Sequence, residues 1–435
     1  MKLFGSSGIR GRFNELITPE FVSRVGQAVG SRYDSVVVGW DTRTTSPLLA
    51  NALFSGLLSA GCDAHSAGMV STPTLANAAR EFKAGIMITA SHNPPQDNGI
   101  KFWNPDGSSF GSGQMEAIEA LVLGEKIPQA AWDSVGDLRS IDWAVDRHIQ
   151  RISGEIGKLK AKVVVDCGNG AASTITPYLL RQLGCEVITL NAQPDGSFPG
   201  RGSEPNEENT KLLAKCVVES QADIGIAHDG DGDRAVAVDE KGNFAGGDAL
   251  LPLLCKLEGK SKVVVPVNAS MSVDRHVGKV HVIRCRVGDV YVSEKIKEAG
   301  ADFGGEPSGT WVFPKISYCP DGIYAAARLV QIAAERPLSE RLAEIPKFIT
   351  IRKRLDMPTE RSNKTMVAVA KALLSQKPSE TSDLDGLRAV FSDGWILFRP
   401  SGTEPKLKIV VEAETEAGAK KLLDTAMKIG KEALS

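Results

Sequence analysis

Aromatic residues make up only 6% of the sequence, too few for a surface that stacks nucleic-acid bases. Charge of one sign is equally scarce. Against 51 Lys and Arg stand 53 Asp and Glu, a formal charge of −2, with none of the basic field of nucleic-acid binders. No nucleic-acid partner is expected. Paired cysteines are missing as well: Cys62, Cys167, Cys185, Cys216, Cys255, Cys285 and Cys319 stand singly, with no CxxC pair. That set suits the reduced thiols of a cytoplasmic enzyme and excludes a disulfide frame or a structural zinc site. No run of 18 apolar residues occurs, and the opening MKLFGSSGIRGRF lacks the apolar centre of a signal peptide. A cytoplasmic protein with no membrane partner is the expectation.

What remains is an ordinary globular balance, 42% hydrophobic and 24% charged. At 435 residues the chain exceeds one core and should divide into roughly two to four domains. Three segments begin alike: SVVVGWD at 35–41, KVVVDCGNG at 162–170 and KVVVPVNAS at 262–270. Each is a β-branched run closed by a turn, the pattern of a strand buried on both faces. Ser46-Pro47 offers an N-cap and first-turn pair for a helix ending at Gly61, and a second helix is expected from Ala171 to Leu183. Later in each unit a second strand meets a polar loop: IMITASHNP, IGIAHDGDGDR and ADFGGEPSG. The repeat predicts three related α/β domains with one loop each at a strand end, where open α/β sheets bind ligands.

The tail reads differently. FITIRKRLDM predicts a strand, TERSNKTMVAVAKALL a helix, AVFSDGWILFRP and KLKIVVEAE a hairpin-like pair, and Thr415 the start of a last helix. The expected division is therefore 1–146, 147–245, 246–345 and 346–435, with a linker near 344–347.

The strongest local signal is AHDGDGDRAVAV, where Asp229, Asp231 and Asp233 alternate with glycines. Three carboxylates this close repel one another unless a cation neutralises them. A calcium EF-hand is excluded, because Arg234 stands where that loop needs glycine and both flanks read as strands. A magnesium site fits better, since Mg²⁺ takes few carboxylates and completes its shell with water and phosphate oxygens. In TASHNPPQDNGIKF, Ser91 alone would be a local turn residue. Thr89, His92, Asn93 and the double proline raise it to a candidate phosphoryl carrier, and Lys101 to a partner in charge or proton transfer. RPSGTEPK joins Arg399, Ser401, Gly402, Thr403 and Lys406, either a phosphate nest or a charged hairpin turn. GEPSGT places Glu306 and Ser308 between glycines, to bond sugar hydroxyls or to make a tight turn. FGSSGIRG with Arg10 suits a phosphate contact. GNGAAS at 168–173 nearly matches a dinucleotide fingerprint, but Ser173 fills the third glycine and no acid closes the next strand.

TASHNP, DGDGDR, GEPSGT and RPSGTEPK, in this order behind FGSSGIRG, resemble the α-D-phosphohexomutase family over nearly the whole chain. The resemblance implies four domains around a central cleft: three related α/β domains with mixed sheets and a smaller C-terminal α+β domain of the TATA-binding-protein-like type. It implies transfer of a phosphoryl group between the 6- and 1-hydroxyls of a hexose through a bisphosphorylated sugar. Ser91 would be the phosphoserine and, with Asp229, Asp231 and Asp233, would hold Mg²⁺. Arg399, Ser401, Gly402 and Thr403 would grip the non-reacting phosphate, while Arg234, Glu306 and Ser308 would bind the substrate. Arg10, His92 and Lys101 would serve phosphate and proton transfer. A hexose bisphosphate would prime Ser91, and the partners would be small sugar phosphates, with the chain a monomer or homodimer.

There are departures. Thr310 replaces a histidine common in bacterial GE-x-SGH loops, and Val290 replaces the arginine of the VGD-R-YV element in RVGDVYVSEKI. That element and GSSGIRG resemble the phosphoglucosamine-mutase branch, so glucosamine 6-phosphate is the expected substrate. Mannose and glucose phosphates stay open, as does a phosphoserine-dependent sugar phosphatase. A non-catalytic sugar-phosphate or calcium sensor is the reading from another class.

Overall fold

A computed structural model describes residues 3–5, 8–124, 126–401 and 405–434. Gly402 and Thr403 of the expected phosphate grip lie outside the described residues. Among those described, the strands form four sheets, and the first three repeat one plan. In the first, Ser35–Trp40 pairs in parallel with Asp63–Met69 and with Ala84–Ile88, and Ala84–Ile88 then pairs antiparallel with Asp97–Trp103. In the second, Lys162–Asp166 takes the central place between Glu186–Leu190 and Ile224–His228, and Ala235–Asp239 closes antiparallel. In the third, Lys262–Pro266 lies between His281–Cys285 and Phe303–Gly305, with Trp311–Val312 antiparallel.

The β-branched runs dictate this plan. Val36 to Val38, Val163 to Val165 and Val263 to Val265 are all fully buried, so each valine contributes roughly 1.5–3 kcal/mol by leaving water. A strand buried on both faces must lie centrally under helices, which the parallel crossovers supply. The second and third sheets share one continuous apolar cluster running from Ile149 to Ile345, whereas the first and fourth have their own.

The fourth sheet is antiparallel throughout, in the order Ile349–Asp356, Lys406–Ala413, Gly394–Pro400, Leu387–Phe391, Glu380–Ser382. AVFSDGWILFRP is thus itself a hairpin: Phe391 faces Gly394 across a two-residue turn at Ser392 and Asp393. KLKIVVEAE adds the next strand beside it, in place of a simple pair. Helices Ser362–Leu374 and Glu416–Leu434 cover one face, and Thr415 Oγ1 accepts the Gly418 N–H at 3.1 Å to open the last.

Two helix starts differ from expectation. Ser46 is the first residue of helix Ser46–Ser59 and not its cap, because its hydroxyl donates to Asp41 at 2.7 Å. The second helix is broken: a 3₁₀ turn covers Ala171–Thr174, and Thr176–Leu183 follows. Pro177, lacking an N–H, is tolerated in a first turn but not in a helix interior, so it restarts the helix there. No helix of the described residues is long and apolar enough to cross a membrane.

Candidate active site

The three polar loops occupy equivalent places, each where the last parallel strand turns back into its antiparallel neighbour. The first carries Ser91, the second Asp229 to Asp233, the third Glu306 to Thr310. Packing brings the first two into direct contact. A Cβ on Gly230 would stand 2.6 Å from the Ser91 carbonyl oxygen, so the loops touch backbone to backbone. The third joins through Arg234, which bridges Thr310, and through the Ala235 N–H, which donates to Gly309 at 3.1 Å.

Ser91 is held in an unusual shape. Its φ is +54°, a left-handed conformation that costs a non-glycine residue roughly 1–2 kcal/mol. Thr89 Oγ1 accepts its N–H at 2.8 Å, and its hydroxyl donates to Asp229 Oδ2 at 2.7 Å. His92 Nδ1 lies 3.4 Å from the same hydroxyl. Burial first, then the positive charges of Arg234 and Arg10, push the His92 pKa down to about 2, so the imidazole is neutral.

The aspartate loop is buried and richly tied. Asp229 Oδ1 accepts the N–H groups of Gly232 and Arg234, each at 3.1 Å. Asp231 Oδ2 accepts Thr72 Oγ1 at 2.6 Å and Lys101 Nζ at 2.7 Å, and Asp233 Oδ2 accepts Lys101 Nζ at 2.6 Å. Burial raises Asp229, and the neighbouring Asp233 and Asp231 raise it further. Burial would also raise Asp231, but Lys101 holds it below the usual carboxylate range. Burial opposes the Lys101 charge; Asp231 and Asp233 more than offset it and keep the ammonium protonated.

A divalent cation fits these residues. Each aspartate offers one oxygen within 4.8 Å of the others, and Asp231 Oδ1 and Asp233 Oδ1 are buried without a hydrogen-bond partner among the described residues. Orphaned buried carboxylate oxygens are costly, and hard oxygen ligands are what Mg²⁺ takes.

In the third loop, Glu306 Oε2 accepts Thr310 Oγ1 at 3.2 Å and Ser308 Oγ at 3.4 Å, while Oε1 accepts the Gly288 N–H at 2.8 Å. Thr310, in the place of the family histidine, therefore orients the glutamate. Burial and Asp289 push Glu306 up to about 7. A cavity of about 370 Å³ opens beside Arg234, Pro307 and Ser308. A larger one, about 810 Å³, lined by Asp239, Ser270 and Pro346, holds none of these groups.

Arg399 stands on the fourth sheet, in strand Gly394–Pro400, and Ser401 follows directly after it. Arg399 pairs with Asp385 at 2.7 Å, and Asp385 also accepts the Val287 N–H at 3.1 Å, next to the Gly288 that bonds Glu306. Ser401 Oγ is buried with no hydrogen-bond partner among the described residues. Arg10 stands on strand Ile9–Arg12 opposite Gly99, and its charge acts on His92, Lys101 and Asp231. Sequence reasoning missed Arg43, Asp41, Thr72, Ser203 and Asp385, all of which tie one loop to another. The turn after SVVVGWD, in the position of the other strand-end loops, was the available signal for Asp41 and Arg43.

Family models agree with this architecture. The phosphoglucomutase/phosphomannomutase α/β/α domains I, II and III match residues 1–128, 146–242 and 247–348, and the C-terminal domain matches 354–429. A Methanosarcina acetivorans protein described as "probable phosphoglucosamine mutase" is 52% identical over 437 residues, covering 100% of both chains. The solved phosphoglucomutase/phosphomannomutase family protein of Burkholderia thailandensis superposes with a TM-score of 0.90 at 29% identity, covering 99% of this chain and 97% of that one. Aspergillus fumigatus N-acetylphosphoglucosamine mutase, solved with GlcNAc-6P and magnesium, shares the fold at a TM-score of 0.61 and 16% identity, covering 100% and 96%. The chain belongs to the phosphoglucomutase/phosphomannomutase family, whose members are hexose-phosphate mutases and hence isomerases.

Proposed function

We propose that the protein interconverts glucosamine 6-phosphate and glucosamine 1-phosphate through a phosphorylated Ser91 and a bisphosphorylated sugar. The observation that carries the reading is the meeting of Ser91 Oγ with Asp229, at 2.7 Å, inside a cluster of buried carboxylates with orphaned oxygens. A hydroxyl placed beside three carboxylates suits a phosphoryl group carried with its counter-cation. Relatives described as "probable phosphoglucosamine mutase" support the amino sugar.

Asp229, Asp231 and Asp233, with phosphorylated Ser91, would hold Mg²⁺, which neutralises the phosphoserine and polarises the group in transfer. The free sugar hydroxyl attacks phosphorus, the bond to Ser91 Oγ breaks, and the hydroxyl proton leaves. His92 is the neutral acceptor beside Ser91. Burial is the first cause of the depressed His92 basicity and the cations Arg234 and Arg10 the second; a phosphate dianion opposes the second alone. Lys101, kept protonated, and Arg10 supply positive charge to the phosphate. Glu306 and Ser308, with Arg234, bind ring hydroxyls. Arg399 and Ser401, with Gly402 and Thr403, hold the second phosphate in both orientations of the intermediate. Hexose bisphosphate would prime Ser91, and unpaired thiols suit a cytoplasmic enzyme working on small molecules.

The test is a panel of glucosamine, glucose and mannose 6-phosphates with Mg²⁺ and a hexose bisphosphate. The 1-phosphate should be the product, with the highest kcat/KM for glucosamine. Dominant release of free phosphate would mark a phosphatase and sink the proposal.

A further inference from the structure

Arg43 is fully buried, yet no step above uses it. Its guanidinium spends all five N–H donors on the Ser91 loop and its support. Nη2 donates to the Ser91 carbonyl at 2.8 Å and to the Asn93 carbonyl at 2.7 Å. Nη1 donates to the carbonyls of Pro94, at 2.6 Å, and Asp97, at 2.9 Å. Nε donates to Asp41 Oδ2 at 3.1 Å. That same Asp41 oxygen accepts Thr89 Oγ1 at 2.6 Å, and Thr89 Oγ1 takes the Ser91 N–H at 2.8 Å. One ion pair thus grips both peptide units that flank the Ser91 Cα, the carbonyl directly and the N–H through Thr89.

The second domain closes over this pair. The Phe198 ring lies 5.1 Å from the guanidinium carbon, and a Cβ on Gly196 would stand 2.6 Å from Arg43 Cα. Ser203 Oγ donates to the His92 carbonyl at 2.7 Å, holding the far side of the same loop. Four carbonyls converge on this one guanidinium, which adds a donor even where the Asp97 N–H already reaches the Pro94 carbonyl, at 3.1 Å, and Ser203 Oγ the Asn93 carbonyl, at 3.0 Å. Lysine, with three donors on a flexible stem, cannot answer all of them.

We propose that Arg43, backed by Asp41, is a positioning residue that holds Ser91 in its left-handed turn and thereby sets the rate of phosphoryl transfer without contributing to sugar binding. The inference rests on the reading of Ser91 as phosphoryl carrier. Its test loads wild type and Arg43→Lys with hexose bisphosphate and Mg²⁺. Transfer from Ser91 to glucosamine 6-phosphate is then followed in a single turnover by rapid quench and intact mass. Misplacing a reacting atom by about 1 Å costs about 100-fold, so transfer should slow at least about 30-fold while KM changes less than about threefold. Val29→Ala, a core change in the same domain, should lower Tm and leave transfer alone, which separates positioning from stability.

Phe198→Leu is the second arm. It uncovers the guanidinium without removing a bond, and should slow transfer in the same direction with KM unchanged. Transfer within threefold of wild type in folded Arg43→Lys overturns the proposal. If that variant does not fold, unchanged transfer in Phe198→Leu overturns it. Failure of wild type to label at Ser91 sinks the carrier reading itself. Normal labelling with unimpaired variants sinks this inference alone.

Discussion

Replacing Gly230 by alanine probes the seam between the Ser91 loop and the aspartate loop with one carbon atom. The added Cβ would lie 2.6 Å from the Ser91 carbonyl oxygen and 3.3 Å from Phe198 Cζ, where ordinary contact begins at 3.4 Å. The carbonyl is backbone and fixed, so the loops must part by about 0.8 Å, the shortfall from 3.4 Å. A displacement near 1 Å between reacting groups costs about 100-fold, and 0.8 Å scales to a kcat loss of about 30- to 100-fold, roughly 2–3 kcal/mol of transition-state stabilisation. Gly230 has no positive φ, so alanine suits its backbone, and the strain stays local. Overpacking of this kind costs about 1–3 kcal/mol of stability, which a whole protein of this size registers as a small change in Tm. The assay is a steady-state measurement of kcat and KM beside thermal unfolding. Gly113→Ala, with nothing within 4 Å, is the neutral control. A Gly230→Ala enzyme with kcat within threefold of wild type refutes the contact between the two loops as a determinant of transfer.

Lys101→Met removes the cation that joins Asp231 and Asp233, and stranding buried carboxylates costs about 3–5 kcal/mol in metal-free protein. Urea unfolding with a chelator should show that loss and Mg²⁺ should recover much of it; no recovery contradicts the metal assignment. Glu306, held near 7, should give kcat/KM a rise through neutral pH as the carboxylate forms and accepts ring hydroxyls. Glu306→Gln should abolish that rise and leave only the substrate phosphate's own ionisation near 6. For stability the sign is opposite: the contribution of Glu306 is full below its ordinary 4.5 and is lost as pH climbs through about 7. An unfolding series across pH 4 to 8, wild type against Glu306→Gln, reads it.

The repeat of buried valine strands was legible because a period and a composition mark a doubly covered strand wherever it falls. Asp229, Asp231 and Asp233 were legible because alternating carboxylates and glycines concentrate charge within one loop. Arg43 was not, since its partners are backbone carbonyls from another loop, and a carbonyl leaves no trace in residue identity. Asp385 was hidden for a related reason: the Val287 N–H it accepts comes from the loop after strand His281–Cys285, about a hundred residues earlier in the chain. The expected cap at Ser46 failed because a buried carboxylate, Asp41, competed for its hydroxyl. Thr310 looked like a loss beside the family histidine, and only the folded loop shows its hydroxyl turned to Glu306. Local chemistry was readable; tertiary competition for donors was not.

The central claim is that Ser91 carries the phosphoryl group. Wild type and Ser91→Ala, incubated with hexose bisphosphate and Mg²⁺, should be compared by intact mass and peptide mapping, followed by addition of glucosamine 6-phosphate. The account predicts one phosphoryl group on Ser91 in wild type, its discharge to sugar as the bisphosphate or 1-phosphate appears, and neither label nor turnover in Ser91→Ala. Label at another residue, or turnover in Ser91→Ala equal to wild type, would contradict it.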